Sequence, residues 1–112
     1  MTIQKQVEQK TYAIKITSEE DGTVLGRVYV YVIYNGLHDE PYGLLEDLYV
    51  EEAHRSKGIG KALVLSAIEE AKARGCRKII CTSRHARTEV HAWYKKLGFQ
   101  EYGLEFRMDL IS

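Results

Sequence analysis

With 112 residues, the chain has the length of about one domain, which leaves no room for a separate cofactor domain. Its 45% hydrophobic and 29% charged residues, with nine Gly and one Pro, exclude disordered, collagenous and low-complexity classes. Sixteen basic against sixteen acidic residues argue against a generic binder of nucleic acid or membrane surfaces.

In chain order, Met1 to Lys10 is polar and unlike a signal peptide. No apolar run approaches the ~20 residues of a membrane span, so a cytoplasmic location is expected. Tyr12, Ile14 and Ile16 alternate with Ala13, Lys15 and Thr17, the period of a half-buried strand, and Asp21-Gly22 supplies a hairpin turn. The return strand, Val24 to Tyr34, carries Val28, Val30 and Val32 on one face and Tyr29, Tyr31 and Ile33 on the other. It is expected to be central and covered on both faces. After a loop marked by Asn35-Gly36 and Glu40-Pro41, Tyr42 to Val50 reads as a third strand, broken in its alternation by Glu46 and Asp47.

From Ile59 to Arg74, the positions Ile59, Leu63, Ala67 and Ala71, flanked by Val64 and Ile68, predict a helix stopped by Gly75. Lys78 to Ser83 is a short β-branched run. Thr88 to Leu97 reads as a second helix, with Lys95 and Lys96 at its C-terminal dipole and Gly98-Phe99 beyond it. Leu104, Phe106, Met108 and Leu110 alternate with charged residues and predict a last strand with one wet face. Antiparallel strands first and crossover helices later give an α/β (α+β) architecture: a single domain over residues 1–112, with a mixed, mostly antiparallel sheet flanked by helices.

Cys76 and Cys81 lie five apart in what reads as one strand, so their side chains point to opposite faces and cannot bridge. Neither they nor His38, His54, His85 and His91 show ligand spacing, so no metal is expected. Charge is unevenly placed. From His54 to Lys96 there are eleven basic residues against three acidic ones, a local balance of +8 that leaves −8 for the rest of a neutral chain. An anionic ligand is therefore favoured by the middle of the chain and a cationic one by the remainder.

The chemistry concentrates in Arg55-Ser56-Lys57-Gly58-Ile59-Gly60-Lys61, between a strand and a helix start. Glycines there admit a bound group close to backbone N–H groups, and a helix N-terminus adds positive dipole, which together suit a phosphate. The alternative is a softened turn with solvated basic residues. A P-loop ending at Gly60-Lys61 would need Gly in place of Arg55 and Ser or Thr in place of Ala62. A dinucleotide fingerprint beginning at Gly58 would need Gly in place of Leu63 and a parallel-strand context. Both fail.

What remains resembles the acetyl-CoA signature R/Q-x-x-G-x-G/A of the GNAT N-acetyltransferases, here Arg55, Gly58 and Gly60. Leu45 to Val50 resembles that family's central strand, and His91-Ala92-Trp93-Tyr94-Lys95-Lys96-Leu97-Gly98-Phe99 its second CoA-side helix. The resemblance covers roughly Tyr42 to Asp109. It implies a GNAT-like domain that transfers an acetyl group from acetyl-CoA to a primary amine: a small amine, a polyamine, or a protein lysine or N-terminus. It further implies that the pantetheine arm lies along Leu48, Tyr49 and Val50, and that N–H groups from Ser56, Lys57, Gly58, Ile59, Gly60 and Lys61 hold the pyrophosphate, with Arg55 beside them. A bulge at Glu46-Asp47 would splay the third strand from its neighbour.

By the same resemblance, Glu46 matches the carboxylate position of a general base and Tyr94 the general acid that protonates the departing thiolate. Strand phase leaves open whether Glu46, Asp47 or a water relay acts. A bulge-stabilising Glu46/Asp47 pair and a Tyr94 packed on Phe99 are the structural alternatives, and Trp93 is expected in the core. A main-chain N–H near Leu48 or Tyr49 would hold the oxyanion.

Departures are equally specific. Arg87 stands where many members have Asn, so it is expected to serve the CoA phosphates by charge, and Ser56 replaces a frequent Gly. The family's initial strand and two helices have no counterpart before Tyr12, which implies an open acceptor side. The acceptor then belongs to a large partner, a second subunit completes the wall in a homodimer, or the protein is a non-catalytic acyl-CoA-binding module or regulatory subunit. An RNA-binding domain using the basic middle would show steep salt dependence, but lacks the surface aromatic motifs.

Overall fold

The apolar alternation of the first half builds a sheet. In a computed structural model that describes residues 1–111, β1 (Tyr12–Glu20), β2 (Thr23–Ile33), β3 (Tyr42–Val50) and β4 (Ile79–Ile80) form one sheet in the order β1-β2-β3-β4. The first two pairings are antiparallel and β3 with β4 is parallel. Helix α1 (Ile59–Ala73) crosses between β3 and β4, and α2 (Thr88–Lys96) follows. Chain contacts fall into two compact units, Met1–Cys81 and the residues from Thr82 onward.

Within the first unit the core is one face of the sheet against α1. Val28, Val30 and Val32 of β2 and Leu45 of β3 are buried, as are Leu63, Val64, Ala67 and Ala71 of the helix. Burial of each such Val or Leu is worth about 1.5–3 kcal/mol, so this seam holds the unit together. β2 is interior, as its sequence predicts. Its second face is not fully covered: Tyr29 and Ile33 are half-buried and Tyr31 is exposed. These tyrosines stack at 6.2 Å, so the expected cover on both faces is corrected to one covered and one open face.

Three further expectations change. The run Lys78 to Ser83 pairs only at Ile79 and Ile80, opposite Gly43 and Leu44. Cys76 lies in no strand, because its N–H closes the end of α1 on the Ala71 carbonyl at 3.0 Å, alongside Gly75 N–H on Lys72. Both cysteines are free thiols. The tail forms no strand among the described residues, and Leu104, Phe106, Met108 and Leu110 are exposed; alternation marks which side chains share a face, but a strand exists only where a neighbouring ladder takes up its backbone groups.

One glycine is fixed by packing. A Cβ on Gly26 would stand 2.8 Å from the Tyr49 carbonyl oxygen and 3.1 Å from Leu63 Cδ1. Gly26→Ala is expected to destabilise the fold by about 1–3 kcal/mol, read as a lower urea midpoint with unchanged slope; an unchanged midpoint would show that β2 and β3 part there without cost.

Candidate active site

The site-forming part of the first unit is the end of β3 and the loop into α1. Tyr29 pairs with Glu46 and Arg27 with Tyr49, so β3 spends one extra residue between them. Asp47 takes up that residue in the left-handed region, φ 56°, the geometry of a β-bulge. The bulge resets the side-chain phase, and Glu46 and Asp47 come to the same face of the sheet. There they line an open groove of about 470 Å³ with Thr11, Tyr29, Tyr31, Ile33 and Leu44.

The two carboxylates differ in environment. Arg27 reaches Asp47 with both arms of its guanidinium, Nε to Oδ2 at 3.1 Å and Nη2 to Oδ1 at 3.4 Å. This contact raises the Arg27 pKa. Glu46 is exposed, and its carboxylate takes no hydrogen bond or ion pair among the described residues. In the first unit both carboxylates therefore stand on an open groove.

Beyond Leu44, β3 continues for six residues without β4 beside it. The single 3-10 turn Glu52–His54 then leads into the glycine loop. Arg55 folds back, donating from Nε to the Val50 carbonyl at 2.9 Å, and lies 5.4 Å from the Tyr49 ring. Ser56 has φ 67° and Gly58, the N-cap of α1, φ 83°. The left-handed turn at Ser56 explains why Gly suits that position. No side chain caps α1, and Lys57 and Lys61 are exposed, which leaves the helix N-terminus and its dipole available to an anion.

In the second unit, Arg87 is the N-cap of α2 and Tyr94 lies in its last turn. The helix ends on a reciprocal pair: Phe99 N–H to the Tyr94 carbonyl at 3.1 Å and Gly98 N–H to that of Lys95 at 3.0 Å. Tyr94 also meets Phe99 and Trp93 edge-on, at 5.5 and 5.2 Å between ring centres. Its packing role is thus real, and Trp93 is half-buried. His91 Nε2 sits 2.8 Å from the Arg84 carbonyl, which tethers the helix to the preceding loop. Burial pushes the Cys81 thiol up to about 11 and also raises that of Cys76, which leaves both neutral and poor nucleophiles at neutral pH.

Arg27 is the residue that sequence reasoning missed. A signal was present: it lies in phase with Tyr29, Tyr31 and Ile33 on β2, a charge continuing an otherwise apolar face.

A bulged strand runs on past its short parallel neighbour toward a helix N-terminus that no side chain caps. The model of the acetyltransferase (GNAT) family matches residues 3–99, and the chain belongs to that family, whose cosubstrate is acetyl-CoA. It is 35% identical over 68 residues to a glucosamine 6-phosphate N-acetyltransferase of Trypanosoma brucei brucei, covering 61% of this chain and 44% of that protein. To an aminoglycoside N(6')-acetyltransferase type 1 of Stenotrophomonas maltophilia it is 30% identical over 103 residues, 88% of this chain and 67% of the other. The crystal structure of a Trypanosoma brucei acetyltransferase superposes with a TM-score of 0.78 at 26% identity, over 88% of this chain and 69% of that one. The chain thus spans under half of the first relative and about two thirds of the second. No helix among the described residues is long and apolar enough to cross a membrane, and they contain no cluster of three metal-ligating side chains.

Proposed function

We propose that residues 1–112 act as one acetyltransferase domain that moves an acetyl group from acetyl-CoA directly to a primary amine. The observation that carries this reading is the Asp47 bulge, which leaves Glu46 unengaged on the groove while β3 runs on, unaccompanied by β4, toward the glycine loop. Leu48, Tyr49 and Val50 offer main-chain groups to the pantetheine arm. The N–H groups from Ser56 to Lys61 take the pyrophosphate, with charge from Lys57 and Lys61, while Arg87 keeps the phosphate role that the family resemblance gives it. Arg55 supports them by tying the loop to β3.

Glu46 takes the proton that a protonated amine must lose, directly or through a water, before its nitrogen can bond to the thioester carbonyl carbon. A main-chain N–H at Leu48 or Tyr49 holds the carbonyl oxygen as charge builds on it. As the carbon–sulfur bond breaks, the leaving thiolate takes a proton, the role that the family resemblance gives to the Tyr94 phenol, and the second proton lost by the nitrogen restores that phenol, so the products are an amide and a free thiol. Neither cysteine takes part.

The acceptor follows from charge. Glu46 brings a carboxylate without an ion pair to the groove that Tyr29 and Tyr31 also line, with Lys15 over the Tyr29 ring, and that carboxylate favours a multiply cationic amine over one carrying a phosphate. The cytoplasm is the expected site of action, and a second copy closing the open face is the expected assembly. Thiol release with acetyl-CoA should be measured on spermidine, an aminoglycoside, a lysine-containing peptide and glucosamine 6-phosphate. The reading predicts the highest kcat/KM on a multiply cationic amine. Coenzyme A binding with no thiol release on any amine would instead establish an acyl-CoA-binding module.

A further inference from the structure

We propose that Arg27 is a positioning residue that locks the Asp47 bulge in place and ties it to the glycine loop, so that Glu46 faces the groove while the helix N-terminus stays aligned with the β3 edge. The inference rests on the acetyl-transfer reading for its consequence in rate, and on geometry alone for the lock itself.

Asp47 is a non-glycine residue at φ 56°, a conformation that Asp adopts more readily than most side chains but less readily than Gly, so contacts around it add to its persistence. The two-armed contact from Arg27 supplies them, fixing the plane of the carboxylate and through it the turn of the backbone. Arg27 does not stop at Asp47. Its guanidinium carbon lies 5.1 Å from the centre of the Tyr49 ring, and that of Arg55 lies 5.4 Å from the same ring. Arg55 in turn donates to the Val50 carbonyl. Asp47, Arg27, Tyr49, Arg55 and Val50 thus form one continuous chain of contacts from the bulge to the start of the glycine loop. Lysine could supply the charge at position 27 but neither the fork nor the flat stacking surface.

The test uses the full chain with Arg27→Gln, Arg27→Lys, Asp47→Gly and the double substitution Arg27→Gln/Asp47→Gly. Glycine adopts the left-handed turn without help, so it removes the need for the lock. Arg27→Gln is expected to lower kcat about tenfold or more with the coenzyme A affinity nearly unchanged, as a misplaced catalytic group does, and Arg27→Lys to restore only part of it. Amide hydrogen exchange at residues 46–49 should quicken in Arg27→Gln. In the Asp47→Gly background, the same Arg27 substitution should alter kcat by less than about twofold. Full turnover with unchanged exchange in Arg27→Gln, or an equal loss in both backgrounds, would overturn the proposal. Should the parent protein release no thiol on any amine, acetyl transfer fails as the function, and the exchange comparison alone decides the lock.

Discussion

Replacing Glu46 by Gln is expected to lower kcat by about 10²-fold or more at neutral pH, the range of a lost general base. Gln has the same shape, and Glu46 is exposed and unengaged among the described residues, so the unfolding midpoint should move by no more than about 0.5 kcal/mol equivalent. The deficit should shrink as pH rises. An alkyl amine with a pKa near ~10.4 loses its own proton in that range, and the base becomes dispensable. A rate for Glu46→Gln within about threefold of the parent, well under the range of a lost base, would remove Glu46 from the chemistry. A loss that does not diminish with pH would assign it to binding the amine instead.

The second large effect is expected at Gly58. This residue is the N-cap of α1 at φ 83°, and a Cβ built on it meets nothing within 4 Å. Gly58→Val therefore carries backbone strain of about 1–2 kcal/mol without a clash inside the protein. If the α1 N-terminus holds the pyrophosphate, the new side chain intrudes on that ligand. Coenzyme A affinity should then fall by more than the ~30-fold to which ~2 kcal/mol of strain corresponds. Gly58→Asn separates the causes, because Asn tolerates the left-handed turn yet still adds a side chain. Both substitutions should weaken binding, with only Val lowering the unfolding midpoint appreciably. Affinity retained in Gly58→Asn would mean that the loss in Val is strain alone.

Much of this arrangement was legible in the amino acids because local pattern and tertiary environment agree. Tyr42–Val50 reads as a strand and is one, and the helical spacing of Leu63, Val64, Ala67 and Ala71 names the buried face of α1 correctly. The break in alternation at Glu46-Asp47 likewise anticipates the bulge. Which carboxylate is engaged was not legible, because that depends on Arg27, twenty residues away, meeting Asp47 across a strand pair. The open second face of β2 was hidden for a similar reason: Tyr29, Tyr31 and Ile33 are apolar enough for a covered face, but only the fold shows how little lies on them. At Cys76 a helix stop outcompetes a β-branched run. In the tail, period-two patterning meets no pairing strand among the described residues.

Titration of the full chain with coenzyme A in a calorimeter tests the central claim most directly, since every proposed catalytic step requires main-chain N–H groups of residues 56–61 to grip the pyrophosphate. Saturable heat at one site per chain is predicted, weakened when pyrophosphate competes and nearly lost for dephosphorylated pantetheine. Absence of heat at millimolar coenzyme A, or equal binding of pantetheine and coenzyme A, would contradict it.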